Sequence, residues 1–135
     1  MSQVAIRAAL ETQLNTLTPA IETAYEDTAF VPPAPTVAWQ QVRVLFATPD
    51  NPEAGAGYRE LGYMQVDLKY PLQVGTAAVT ARAALVRALF PKNLSLTKSG
   101  FVVTVSKTPE VGNGVPDGDH WSVPIKIPFF ANIFS

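Results

Sequence analysis

An α+β fold, with one antiparallel sheet and two helices packed on one of its faces, follows from three features of the chain. Two segments, near residues 2–17 and 77–90, repeat apolar side chains at helical spacing. Around them lie runs that alternate apolar and polar residues, as half-covered strands do. Most of these runs are also close enough in sequence to pair through hairpins, which favours antiparallel pairing over long crossovers.

Ser2 is placed to cap the first helix, whose apolar positions Ile6, Ala9, Leu10, Leu14 and Leu17 share one face until Pro19 ends it. In AIETAYED, residues 20–27, Ile21, Thr23 and Tyr25 alternate as a short strand would. A helical turn opened by Thr18 and Pro19 is the competing reading. PPAP, residues 32–35, is a stiff extended connection. Residues 37–46, VAWQQVRVLF, read as a strand with Val42, Val44 and Phe46 on one side. The glycine- and proline-rich residues 47–60 read as an exposed loop. In GYMQVDLKY, Met64, Val66, Leu68 and Tyr70 point one way and Gln65, Asp67 and Lys69 the other, so one sheet face is covered and the other open.

Thr76 then caps the second helix, which stops before Pro91. Its polar face is little more than Thr80, Arg82 and Arg87, narrower than a helix lying on a sheet normally presents, so Arg82 and Arg87 are candidates for contact with another subunit. NLSLT and FVVTVSK form a hairpin around Lys98, Ser99 and Gly100, with Phe101, Val103 and Val105 inward. Residues 108–119, TPEVGNGVPDGD, read as a second polar loop.

The closing segment HWSVPIKIPFFANIFS places Trp121, Val123, Ile125, Ile127 and Phe129 on a core face. Pro124 and Pro128 both fall on even positions, so one lateral edge of the strand lacks two N–H donors. This predicts an edge strand whose prolines block the addition of further strands. Phe130, Ile133 and Phe134 remain, either folded back on the subunit or offered to a neighbour.

The totals exclude more than they select. A chain of 135 residues fits one domain spanning 1–135, and a formal net charge of −1 offers no concentrated basic surface for nucleic acid. No cysteine is present, which removes disulfides, thiolate metal sites and thiol nucleophiles. No apolar run approaches the roughly 20 residues of a membrane span. His120 is the lone histidine, no GxSxG elbow accompanies it, and it reads as a solvent-facing residue at the mouth of a strand. AGAG at 54–57 lacks the context of a phosphate-binding loop, and Asp117-Gly118-Asp119 is first of all a turn. Neither an enzyme nor a cofactor or metal site is expected. A small-ligand or catalytic α+β domain remains the alternative of a different class, disfavoured because convergent polar groups are missing.

Taken together, IRAALETQL, TAYEDTAFVPP, WQQVRVLF, GYMQVDLKYPLQVGTAA leading to ALFP, and WSVPIKIPFFA resemble the phage tail terminator family, over roughly residues 5 to 131. The resemblance implies an α+β subunit of a hexameric ring that sits on the end of the tail tube, stops its polymerisation and offers a surface to the head or its connector. A head–tail connector or neck subunit is the alternative within the same setting. The implied partners are further copies of the chain, the tail tube protein, the connector, and DNA that passes through the lumen without specific binding. The implied location is the virion tail, assembled in the host cytoplasm without a membrane. A lumen that lets DNA slide must not attract phosphates, so Asp50 and Glu53, or Asp117 and Asp119, are candidates to line it. The chain departs from the family pattern at Asp27, where Asn is expected, and residues 47–60 and the last four residues have no counterpart.

Overall fold

The computed structural model describes residues 2–26, 28–51 and 57–133. In chain order the elements are α1 (Ser2–Leu14), β1 (Glu22–Ala24), β2 (Trp39–Phe46), β3 (Tyr58–Pro71), α2 (Ala77–Leu89), β4 (Ser95–Lys98), β5 (Phe101–Val105), β6 (Glu110–Val111), β7 (Val115–Asp117) and β8 (His120–Ile133). Both helices and the five longer strands lie at the expected places, with α1 ending at Leu14 short of Leu17, and with one correction to the 47–60 loop: β3 begins inside it at Tyr58, where Glu60 is already buried, because pairing with the end of β8 carries the strand past its alternating stretch. Ser2 is the first helical residue rather than the cap before it, and Thr76 caps α2 without a side-chain hydrogen bond.

The strand order is β1-β2-β3-β8-β5-β4, with β6 and β7 also paired to β8. The expectation of an antiparallel sheet needs one correction: β1 runs parallel to β2, so the sheet is mixed. Residues 25–38 join the two, and a parallel join requires a connection of about a dozen residues or more, which this segment supplies.

A second correction concerns the C-terminal strand. β8 pairs with β3 along its whole length, from Tyr58↔Ile133 to Pro71↔His120, and its other side is taken by β5, β6 and β7. It is a central strand, not an edge. The prolines do lie on the side facing away from β3. The Pro124 carbonyl accepts a hydrogen bond from the Gly112 N–H at 2.8 Å, and the Pro128 carbonyl accepts one from the Ser106 N–H at 3.0 Å. The missing donors at these positions break the ladder, so three short strands pair in turn around Ser122, Lys126 and Phe130 where one long strand would otherwise fit. This also explains why residues 108–119 are not a simple loop: they carry β6 and β7.

One face of the sheet holds the core. Val42 and Val44, then Met64, Val66 and Leu68, then Val123, Ile125 and Ile127 lie in register across three strands, each 7% exposed or less. Ile6, Leu10 and Leu14 of α1 and Val79, Ala83 and Val86 of α2 join them in a single cluster. Ile133 is buried in that cluster, so it folds back on its own subunit. The interior position of Arg82 is the third correction: at 4% exposure its guanidinium lies inside the subunit and donates to the Pro19 carbonyl, which leaves it no surface to offer a neighbour. The spacing puts position 82 beside Val79, Ala83 and Val86, and its long apolar stem follows them inward. Its burial holds the guanidinium below its ordinary pKa.

Candidate assembly surfaces

With Arg82 turned in, the outward side of α2 is almost bare of charge. Ala77, Ala81, Ala84 and Ala88 are exposed at helical spacing, and Leu85 beside them is 44% exposed. Arg87 is exposed as expected, with its Nε donating to the Pro109 carbonyl at 3.0 Å, which ties the helix end to the approach to β6. Such a face satisfies no obligation of the folded monomer. It is a candidate surface for another protein to cover.

The outer face of the sheet is mixed. The ladder aligns Arg43, Gln65 and Lys126, then Leu45, Tyr63 and Pro128, and then Leu61 with Phe130 and Thr104. Leu45 is exposed, and Tyr63, Leu61 and Phe130 are half-buried. Lys126 lies over the Tyr63 ring at 5.3 Å and Arg59 over the Phe130 ring at 5.0 Å, so two cations shield the larger apolar rings. Arg59 is held there by a 3.0 Å bond from its Nε to Asn132 Oδ1. Beside Phe130 a notch of about 170 Å³ is lined by Gly100, Val102, Thr104 and Asn132. Phe130, half-buried, reaches the outer face, whereas Ile133 does not. Phe134, the third of that group, and Glu53 lie outside the described residues.

Toward the β1 end of the same face, Phe30 stacks on Trp39 with 5.1 Å between centroids, and Trp39 meets His120 edge-on at 6.1 Å. His120 is 7% exposed, with Nε2 3.3 Å from the Val37 carbonyl, so it is a packed residue that holds the 28–38 segment down and does not face solvent. A cleft of about 550 Å³ next to Trp39 is lined by Tyr25, Glu26, Phe30 and Gln41. The Glu26 carboxylate in it is engaged by Arg7 and by the Val44 N–H, the latter at 2.6 Å. Burial opposes its ionisation, but the Val44 N–H, Arg7 and Arg43 together hold its carboxyl below the ordinary glutamate range. Glu26 thereby caps the stretch of β2 that β1 leaves uncovered, a role the sequence marked only by an acid placed just after a short strand.

The acidic loop candidates are far apart. Asp117 sits in the tight turn between β7 and β8, where Gly118 takes φ 60°. Its carboxylate lies 2.5 Å from Lys69 Nζ, and that ammonium also donates to Ser122 Oγ at 3.1 Å. The Lys69 ammonium holds the Asp117 carboxyl below its ordinary range. Asp119 is exposed in the same turn. Asp50 instead exchanges two backbone hydrogen bonds with Arg59. Arg59 and Lys69 are ten residues apart on β3, a span of roughly 33 Å at strand rise. The two loops thus mark opposite ends of the sheet. Among the described residues no group of three or more His, Cys, Asp or Glu is arranged to hold a metal, and no helix is long and apolar enough to cross a membrane.

No curated protein matches the chain. One solved structure, whose name carries no functional description, is 30% identical and superposes with a TM-score of 0.79, over 100% of this chain and 99% of that one. A family model described as phage tail terminator protein matches residues 5–129. The chain belongs to the phage tail terminator family.

Proposed function

We propose that the chain is the tail terminator subunit itself: copies close into a hexameric ring on the end of the tail tube, stop tube growth and present the surface on which the head or its connector docks. The family match over residues 5–129 is the observation that carries this reading. The outer side of α2, charged only at Arg87, and the apolar stripe on the outer sheet face around Phe130 support it, because both are surfaces a lone subunit has no use for.

The mechanism is one of shape. A closing ring needs two different, mutually complementary surfaces on each subunit, so that every copy is satisfied by its neighbours. Termination follows when the ring binds the last layer of tube on one side and offers no copy of the tube's polymerising surface on the other. In this reading Arg87, exposed on α2, and Phe130, half-buried on the outer sheet face, contact neighbours or tube. Acidic side chains at the lumen keep attraction to DNA phosphates low. Asp117 and Asp119 at one end of β3, or Asp50 at the other, fill that role. The subunit assembles in the host cytoplasm and ends in the virion tail.

Electron microscopy of phage lacking this chain tests the reading. Overlong, headless tails are expected. Tails of normal length that fail to join heads would assign the chain to the connector instead.

A further inference from the structure

The net charge of −1 conceals a division along the chain. Residues 8–42 contain Glu11, Glu22, Glu26 and Asp27 and no Lys or Arg, whereas residues 83–109 contain Arg87, Lys92, Lys98 and Lys107 and no Asp or Glu. The fold carries Glu22 of the first block and Lys92 and Lys98 of the second to opposite ends of the strand order, while Glu11 lies on α1, which packs against β4 and β5. β1, with exposed Glu22, is the first strand of the sheet, and β4, with Lys98 at its end and Lys92 just before it, is the last. Each terminal strand is paired on one side only among the described residues.

Two nearby charges qualify the division without cancelling it. Arg7 is bonded to Glu26, which leaves Glu22 as the exposed acid on β1 itself. Glu110 follows the basic block, where it stands opposite Lys126 in the β6–β8 ladder and away from the β4 edge. Lys92, Lys98 and Lys107 are all exposed and form no ion pair among the described residues.

We propose that the β4 edge of one copy docks, head to tail, against the β1 edge of a second copy of the same chain, with Lys92 and Lys98 facing Glu22 across the junction. The inference rests on the ring reading and specifies which two surfaces meet. Like edges repel, since two β4 edges bring lysines together and two β1 edges bring acids together, so the charges select the heterologous contact that closes a ring over a symmetric pair. The short, polar end strands suit this. SLTK and ETA carry too little apolar surface to aggregate freely, yet their unpaired backbone groups can accept a neighbour of matching charge.

The test is complementation of phage lacking this chain, with tail length read by electron microscopy. Glu22→Lys alone makes both edges basic, and Lys92→Glu with Lys98→Glu makes both acidic. Each variant alone is expected to lose length control and leave overlong tails. The two supplied together form alternating rings in which every junction again pairs opposite charges, so normal length returns, which also shows that both variants fold. Normal tails from either variant alone overturn the edge assignment, as does a mixture that fails where the unaltered chain succeeds. Normal-length tails in the phage lacking the chain altogether would overturn the terminator reading itself, a result distinct from failure of the charge reversals.

Discussion

Phe46 and Phe129 meet edge to face, 5.8 Å between centroids and 82° between planes, across a strand that separates them. Gly62 of β3 stands in register with both, opposite Phe46 on one side and Phe129 on the other. What leaves no room for a side chain at position 62 is the backbone of β2 itself. A Cβ on Gly62 would lie 2.0 Å from the Leu45 carbonyl oxygen, which is backbone and has little freedom to move.

Gly62→Ala is therefore expected to lower stability by about 1–3 kcal/mol, the usual cost of overpacking a filled interior. Urea denaturation of the purified chain reads it as a lower midpoint. A midpoint equal to that of the unaltered chain would show that β2 and β3 can separate locally at no cost.

Arg82 tests the difference between a buried structural cation and an interface residue. Removal of the side chain by Arg82→Ala loses its packed stem and its bond to the Pro19 carbonyl, an expected cost of about 2 kcal/mol. Arg82→Met keeps the stem and discards a buried charge whose Nε has no partner, so most of that loss is expected to return. Thermal melting of the three chains decides. Equal melting temperatures would mean that the guanidinium contributes nothing inside the subunit.

Glu26 and Glu11 set opposing pH dependences. The folded pKa of Glu26 lies below its reference value of 4.5, so its stabilising effect is fully present above that value and is lost as pH falls through the folded pKa. Glu26→Gln should flatten the acid side of the melting curve. Desolvation raises the pKa of Glu11, with Arg7 partly offsetting it, so its ionised form costs stability above the folded pKa and acidification relieves that cost. Glu11→Gln should raise the melting temperature at pH 7 and have little effect at pH 3. Melting temperatures of both variants across pH 3–7 check the two signs independently.

Replacing Pro124 and Pro128 together with Val is expected to leave association unchanged, because the side they would open to pairing is already occupied by β5, β6 and β7. The expected effect is instead a stability loss of at most about 1 kcal/mol, from greater freedom of the unfolded chain, partly offset by new N–H groups that face the Gly112 and Ser106 carbonyls, residues whose own N–H groups already bond the carbonyls at 124 and 128. Light scattering and denaturation separate the two effects. Concentration-dependent growth in mass would restore the edge-strand reading.

Local pattern was enough for the helices, for the long strands and for the inward faces of β2, β3, β5 and β8. Amphipathic period and breaker residues act over a few positions, and they survive whatever the rest of the chain does. The alternation of residues 120–130 correctly separates core from outer face, and it identifies the lateral side on which the prolines withhold donors. It does not reveal what lies along that side. The three short strands there come from residues 101–117, and their pairing depends on contacts that no local pattern encodes.

The same limit explains the misplaced candidates. Arg82 reads as a surface cation because long charged side chains usually are, yet the bend at Pro19 brings a backbone carbonyl within its reach. His120 reads as exposed until residues 28–38 are laid over Trp39. The order of its motifs alone carried the resemblance to tail terminators, and the sequence also holds two charge blocks of opposite sign. Only the tertiary structure decided that Glu22 on β1 and Lys98 on β4 lie at the two ends of one sheet, because strand order is settled by long-range pairing, which the sum of all the buried contacts selects.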